Sequence, residues 1–249
     1  MTQNARATEA APVEFPRPRR LDLSGYETPA EIAAAQRRHA AALALRICLL
    51  LAGMFIAACG IALVAASEIG GTPIAALPLA VTGITGISYG KTTFIVNAAF
   101  VLGEIALLRR RFPIWNLVQI PSVFIFSVFV GTAYSCFSAA PPTSYLGSLS
   151  ESLGGSALLA LGILMQVRSK TLMQPGEGIV FAAAIVFRRP FSTMKIINDC
   201  SLVAIAAILD FLFIGELYQI REGTLFSAIL VGLLVKVFNR IRFAVTGEP

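Results

Sequence analysis

A few ionisable side chains stand inside long apolar stretches of this sequence, and Asp210 is the most isolated of them. It lies in the apolar sequence ILDFL. A carboxylate at membrane depth costs at least about 2.5 kcal/mol on insertion scales, so Asp210 is a candidate for binding a proton, a cation or a solute. Lys236, in the next apolar run, is about 10 Å too far along the helix axis for a direct salt bridge. The opposing interpretation is that Asp210 lies near the outer interface or hydrogen-bonds to a neighbouring helix.

Two lysines follow the same pattern of an apolar residue, a serine and a lysine three residues later: Ser88 with Lys91, and Ser192 with Lys195. A lysine near a helix N-terminus opposes the helix dipole, which favours an anion bound beside it. That anion would be a solute carboxylate or phosphate, or a lipid headgroup. We expect both serines to cap the helices that follow. For Lys195, an i,i+4 pair with Asp199 is an alternative that needs no anion.

Small and amide residues indicate further contact points. Gly70, Gly71 and Thr72 are able to form an unwound turn whose backbone faces a cavity, and an ordinary loop turn is the competing interpretation. Asn97 favours a hydrogen bond between helices over contact with a ligand. Glu104 closely precedes an arginine triplet, so we expect an interfacial carboxylate paired with one of those arginines.

No combination of residues predicts an enzyme, a metal site or a cofactor. The only histidine, His39, is in the polar N-terminal segment, and the four cysteines are scattered without a CxxC or Cys/His spacing. The sequence also lacks a GxxxxGK(S/T) phosphate-binding loop. The chain is basic, with 20 Lys and Arg against 14 Asp and Glu. These basic residues stand at the ends of apolar runs, which argues against nucleic acid as a partner.

The apolar runs that position these residues predict an all-α integral membrane protein. Hydrophobic residues make up 56% of the chain and charged residues only 14%, against about 25% charged in soluble proteins. Two apolar runs, about 73–87 and 178–187, are too short to cross a bilayer and predict re-entrant or interfacial helices. Six others are long enough to be transmembrane helices: about 41–66, 91–108, 115–137, 146–167, 196–217 and 224–242.

Residues 1–40 predict a cytoplasmic tail followed by a capped helix. Residues 1–27 are rich in Pro and Arg and hold too few apolar residues to offset the entropy of ordering, so we expect disorder there. Thr28, Pro29 and Glu31 then form a capping-box pattern that starts the helix. This helix is expected to continue into the membrane.

The transmembrane domain is expected over residues 41–242, and residues 243–249 form a second cytoplasmic tail. Short cytoplasmic loops of membrane proteins collect Lys and Arg. If both ends are cytoplasmic and neither short segment crosses, the triplet Arg109, Arg110 and Arg111 also falls on the cytoplasmic side. The outside loops are then nearly free of positive charge.

The order of elements predicts an internal repeat with halves at about 41–138 and 146–242. Each half reads spanning helix, short segment, spanning helix, spanning helix. Because three crossings are an odd number, the second half enters the membrane from the opposite side. This inverted-topology repeat, with short helices near the midplane, is typical of secondary transporters.

The same stretches resemble the YitT/YczE group of bacterial multi-pass membrane proteins over roughly residues 45–242. The resemblance lies in Gly70, Gly71, Thr72, Gly86, Ile87, Ser88, Gly90, Lys91 and Asn97, in the PGEG sequence at Pro175 and Gly176, and in the KIIND sequence from Lys195 to Asp199. Pro73 replaces an acidic residue of YitT-type members and is closer to the YczE branch. The resemblance implies a bacterial cytoplasmic membrane and assigns no substrate.

Two functions remain open at this point. The first is a secondary transporter or permease of a small anionic or polar solute, supported by the predicted repeat and by Asp210. The second is a membrane scaffold or an accessory subunit, such as a substrate-capture component, of a larger complex. The expected partners are the lipid bilayer and, in addition, a second copy of the chain or another membrane protein.

Overall fold

The computed structural model describes residues 28–216 and, after them, residues 221, 223, 224, 227, 230, 231, 233 and 234. All regular structure in this part of the chain is helical. The α-helices are α1 Pro29–Ala66, α2 Pro73–Thr85, α3 Tyr89–Leu108, α4 Gln119–Phe137, α5 Tyr145–Ser169, α6 Pro175–Phe187 and α7 Phe191–Phe213. Two 3-10 turns, Arg109–Arg111 and Ile114–Val118, connect α3 to α4. Both predicted tails lie outside the described residues.

Five helical segments within the described residues are long and apolar enough to cross a membrane: Pro29–Ala66, Tyr89–Arg111, Ile114–Phe137, Tyr145–Ser169 and Phe191–Phe213. Their outward faces carry exposed apolar side chains such as Leu102, Phe124 and Phe211. The described part of the chain is therefore built for an apolar surrounding. The predicted sixth transmembrane helix, 224–242, lies largely outside the described residues, although the described positions within it are helical.

The N-terminal capping box is confirmed. Thr28 Oγ1 accepts a hydrogen bond from the Glu31 amide at 3.3 Å, and a Glu31 carboxylate oxygen accepts one from the Thr28 amide at 3.1 Å. Pro29 occupies the first position of α1. As predicted, the 38-residue helix continues without a break from this cap into the apolar run.

The two short helices are confirmed, each with 13 residues, which is less than the roughly 17 needed for a straight crossing. Helix α6 begins three residues earlier than predicted, because Pro175 is suited to the first helical position. Helix α7 runs from Phe191 to Phe213 instead of 196–217. Pro190 stands at its N-cap and Gly215, at φ 87°, follows its end.

Helices α1 and α5 cross at the centre of the molecule through glycines. A Cβ atom on Gly60 would lie 2.6 Å from the Gly155 carbonyl oxygen, and one on Gly53 would lie 2.9 Å from the Gly162 carbonyl oxygen. The backbones therefore touch directly, as small residues allow between membrane helices. The residue numbers increase in opposite directions along the contact, so α1 and α5 are antiparallel.

The short helices pack across the molecule. Helix α2 packs against α7 and also against α3, and α6 packs against α3 and also against α7. Helix α4 packs on α1 and α3, meeting α3 where Gly90 approaches Gly131. This arrangement holds the N-terminal ends of α2 and α6 in the interior.

The loop between α1 and α2 is anchored to the segment that follows α7. The Glu68 carbonyl accepts a hydrogen bond from the Arg221 guanidinium at 3.1 Å, and the Ile69 carbonyl accepts one from the Gly223 amide at 2.8 Å. Gly70 has φ 121°, which favours glycine, and a Cβ there would also lie 2.5 Å from Thr224 Oγ1. This loop is thus a defined turn.

Candidate functional site

A cavity of about 1100 Å³ lies between the short helices and the spanning helices. Its walls come from α1, α2, α3, α5, α6 and α7, with contributions from α4 and from the described residues after α7. Most lining side chains are apolar. Polar groups are concentrated where α2 and α6 begin, which makes those two helix ends the chemically distinct part of the wall.

The N-terminal ends of both short helices face this cavity. Thr72 and Gln174 are the N-caps of α2 and α6, both line the cavity, and neither makes a side-chain capping hydrogen bond. The positive end of a helix dipole attracts anions. Helix α6 already carries Glu177 in its first turn, whereas α2 has no acidic residue there. The α2 end is therefore the more open position for an anionic group.

Four buried hydroxyl groups in the cavity wall have no hydrogen-bond partner in the part of the chain that the structure describes. They are Thr72 Oγ1, Tyr89 OH, Thr93 Oγ1 and Thr224 Oγ1. Each of these residues is at most 5% exposed. An unsatisfied buried polar group costs about 1–3 kcal/mol, so we expect these hydroxyls to bind water or another polar molecule in the cavity.

Charged side chains of both signs line the same cavity. Lys195 Nζ lies 2.9 Å from a carboxylate oxygen of Asp199, which confirms the predicted i,i+4 pair. Arg46, Lys170 and Glu177 complete the charged lining among the described residues. Burial raises the pKa of Glu177, while Lys195 lowers this pKa and Asp199 raises it. The described lining has one more cationic than acidic side chain.

The structure brings four of the predicted site residues together: Thr72, Asn97, Lys195 and Asp199 all line the cavity. Asn97 donates its side-chain amide to the Thr93 carbonyl of its own helix at 2.8 Å. The prediction that the Asn97 side-chain amide donates to another helix is therefore wrong, since this bond stays within α3.

The remaining predicted residues lie elsewhere. Lys91 and Ser88 are exposed at the start of α3, and Ser192 is exposed in the first turn of α7. The expected serine caps are wrong, since Ser88 is at the N-cap of α3 without a capping hydrogen bond and Pro190 is the N-cap of α7. Gly70 and Gly71 shape the α1–α2 turn but do not line the cavity, and the Gly71 carbonyl instead accepts a hydrogen bond from Ser227.

Asp210 is fully buried near the C-terminal end of α7 and does not line the cavity. Asp210 is not without a partner. Its lysine candidate, Lys236, lies outside the described residues. Asp210 is therefore placed apart from the four residues that share the cavity.

Glu104 is another polar residue whose expected partner is wrong. It is fully buried in α3, and among the described residues its hydrogen bond comes from Gln119 of α4 at 3.4 Å instead of from an arginine. Arg109, Arg110 and Arg111 are exposed. The feature of the sequence that indicates the observed partner is Gln119, a second polar residue at the start of the neighbouring apolar run.

Comparison with known proteins identifies the group but no activity. Residues 44–240 match the family described as "Family of unknown function (DUF6198)". No curated protein and no solved structure matches the chain. Within the described residues no group of three His, Cys, Asp or Glu side chains is arranged to hold a metal ion.

Proposed function

We propose that this chain, which belongs to the family of unknown function DUF6198, is a secondary transporter or permease of a small polar or anionic solute. One observation carries the proposal. The N-terminal ends of two short helices meet a cavity whose wall holds four buried hydroxyls that have no hydrogen-bond partner among the described residues. Short helices that point their positive ends at a central site are the usual solute-binding arrangement of secondary transporters.

The inverted repeat is part of this proposal, and local landmarks support it. The same interval of 102 residues separates the N-caps Thr72 and Gln174, the first residues Pro73 and Pro175, and the left-handed C-caps Gly86 and Arg188 of the two short helices. It also separates Ser67, which follows the last residue of α1, from Ser169, the last residue of α5. Each of these two hydroxyls donates to a carbonyl three residues earlier at 2.7 Å.

Contacts between the halves follow the same interval and support opposite directions for them. At this interval Gly53 of α1 is equivalent to Gly155 of α5, and Gly60 is equivalent to Gly162. The contacts are exchanged between these pairs, because Gly53 approaches Gly162 and Gly60 approaches Gly155. A two-fold axis relating antiparallel α1 and α5 produces this exchange. The packing of α2 on α7 and of α6 on α3 is exchanged in the same way. We propose six spanning helices in two inverted halves.

This interval revises the register of the repeat. The two Ser-x-x-Lys sequences, which begin at Ser88 and Ser192, are separated by two residues more than the helix caps are. Ser88 is the N-cap of α3, whereas Ser192 lies inside α7, so the two serines are not at equivalent positions. At the interval of the caps, Asn97 is equivalent to Asp199, and both line the cavity. Thr93 is likewise equivalent to Lys195, so the site receives polar residues from the same places in each half.

We further propose that the chain lies in a bacterial cytoplasmic membrane with both ends cytoplasmic, as the YitT/YczE resemblance and the arginine triplet suggest. In a variant without the four native cysteines, a cysteine replacing Arg110 should react with a membrane-impermeant maleimide from the cytoplasmic side. A cysteine replacing Thr143, in the loop before α5, should react from the opposite side. Labelling after solubilisation is the control for reactivity. Reaction of both positions from one side would contradict the topology.

Transport should depend on the charged pair in the cavity. We expect the double substitution Lys195→Gln and Asp199→Asn to lower uptake by proteoliposomes at least about tenfold, equivalent to about 1.4 kcal/mol of solute affinity. The reason is that both side chains line the cavity, so their charges act directly on a bound solute. The measurement is uptake across a panel of small anions and amino acids.

Lys91→Gln is the matched control, because Lys91 is exposed at the start of α3 and outside the cavity. Equal effects of the two variants would contradict the assignment of the site. Inactivity of the folded wild-type protein on the whole panel, with a stoichiometric partner retained in mild detergent, would instead favour a scaffold or accessory subunit.

A further inference from the structure

Glu104 is a fully buried carboxyl group in α3 that does not line the cavity. Its Oε2 accepts a hydrogen bond from Gln119 Nε2 of α4 at 3.4 Å, which is long for such a bond. Its Oε1 has no hydrogen-bond partner among the described residues. Gly178 of α6 also approaches Glu104, so closely that a Cβ atom on Gly178 would lie 2.7 Å from the Glu104 carboxyl carbon.

No cation offsets a charge on Glu104 in the described part of the chain. The titratable and charged residues on its own helix and on the elements packed against it are Tyr89, Lys91, Arg109, Arg110, Arg111, Tyr134, Cys136 and Glu177. Helix α2 contributes none. None of them forms an ion pair or a hydrogen bond with Glu104. An ionised Glu104 would therefore be a buried charge without a counter-ion, which is costly at membrane depth.

The hydrogen-bonding groups around Glu104 lack one donor. Gln119 Oε1 is buried and also has no partner among the described residues. An ionised carboxylate only accepts hydrogen bonds, whereas a protonated one also donates. A proton on Oε1 would supply the missing donor and allow the acid and the amide to pair through two hydrogen bonds.

The other half of the molecule shows that packing does not require a glutamate here. At the interval that relates the two halves, Glu104 is equivalent to Ala206 and Gly178 to Ala76. Ala206 and Ala76 belong to one buried cluster, where α7 meets α2. The same contact is therefore made with two methyl groups in one half and with a carboxyl group on a glycine in the other.

We propose that Glu104 is a proton-binding site that couples protonation to the position of α6. When the carboxylate takes a proton from a hydronium ion, an O–H bond of hydronium breaks, one forms at Oε1 and water leaves, so the site becomes neutral and α6 packs against α3. When the proton returns to water, the charged carboxylate requires hydration, so α6 must separate from α3 at Gly178. Because the same short helix presents Gln174 and Glu177 to the cavity, this movement reshapes the cavity wall. The coupling of this movement to solute transport rests on the proposed transport function.

A proton fits these surroundings better than a metal ion. A hard cation such as Mg²⁺ takes about six oxygen ligands. Among the described residues, hydrogen bonding gives Glu104 one side-chain partner, Gln119, and no group of three His, Cys, Asp or Glu side chains is arranged to hold a metal ion. A proton needs only one carboxylate oxygen.

Infrared difference spectroscopy of the full chain in lipid tests the site without any transported solute. On acidification, the wild-type protein should gain the C=O band of a protonated carboxylic acid. Glu104→Gln should lack that band, while Glu177→Gln, which removes the nearest acidic residue along α6, should keep it. A spectrum of Glu104→Gln that retains every wild-type band would overturn the proposal.

Uptake measurements test the coupling separately. A proton gradient should stimulate wild-type uptake several-fold, and a protonophore should abolish that stimulation. Glu104→Gln, which has the shape of the protonated residue, should not respond to either. A variant that responds as the wild type does would overturn the coupling. If the wild-type protein moves no solute, the transport function fails, while the spectra still decide whether Glu104 binds a proton.

Discussion

Replacing Gly60 by alanine should strongly destabilise the protein, by about 3 kcal/mol in the free energy of unfolding. The added methyl group would lie 2.6 Å from the Gly155 carbonyl oxygen and 2.9 Å from the Leu159 Cα, both of them backbone atoms of α5. Backbone atoms do not rotate away as a flexible side chain does, so α1 and α5 must separate. The measurements are thermal unfolding in detergent and the yield of monodisperse protein.

Gly154→Ala is the matched control, because this glycine adjoins the crossing but has space around it. The nearest atom to a Cβ at Gly154 is a Leu63 methyl carbon at 4.0 Å. Gly154→Ala should therefore change the free energy of unfolding by no more than about 0.5 kcal/mol. Gly155→Ala, at the crossing itself, should behave like Gly60→Ala, since its Cβ would lie 2.8 Å from the Gly60 carbonyl oxygen. Equal stability of the Gly154 and Gly155 variants would contradict the close crossing.

The second large effect is expected at Gly178. Gly178→Ala alone should lower the free energy of unfolding by about 2 kcal/mol, because the new methyl group overlaps the Glu104 carboxyl group. Adding Glu104→Ala should restore stability to the wild-type level or above it. The double variant reproduces the alanine contact that Ala76 and Ala206 make where α2 meets α7. The expected coupling between the two sites is therefore at least about 1 kcal/mol.

A double-mutant cycle followed by thermal unfolding measures this coupling. Glu104→Gln combined with Gly178→Ala is the control, because glutamine has the size of glutamate and should not relieve the overlap. Additive effects of Glu104→Ala and Gly178→Ala would show that the two residues do not share the contact. Rescue by glutamine as well as by alanine would assign the effect to charge instead of volume.

Most helices of this protein were predictable from its amino-acid sequence, although some of their ends were not. The lengths of the apolar runs separate spanning helices from α2 and α6, because a bilayer imposes a minimum length on any crossing helix. The capping box at Thr28 and the pair Lys195–Asp199 were also predictable, since both depend on residues three or four apart in one helix. Local spacing therefore sufficed wherever the partners are neighbours along the chain.

The packing of the helices selected the polar residues that share the cavity. Thr72, Asn97 and Asp199 come from different helices, and the angle at which each side chain leaves its helix depends on packing that no local pattern encodes. The proposed equivalence of the two halves rests on backbone caps such as Thr72 and Gln174, whereas the likeness of the Ser-x-x-Lys sequences indicated a register two residues away.

Glu104 is the clearest example of a contact that depends on helix packing and not on local sequence. Its neighbours along the chain are exposed arginines, which predicted an interfacial pair, but its neighbours in space are Gln119 and Gly178. A glycine on α6 opens a space that only a side chain from another helix fills. Because the space and the side chain belong to separate elements, their meeting is a property of how the helices pack.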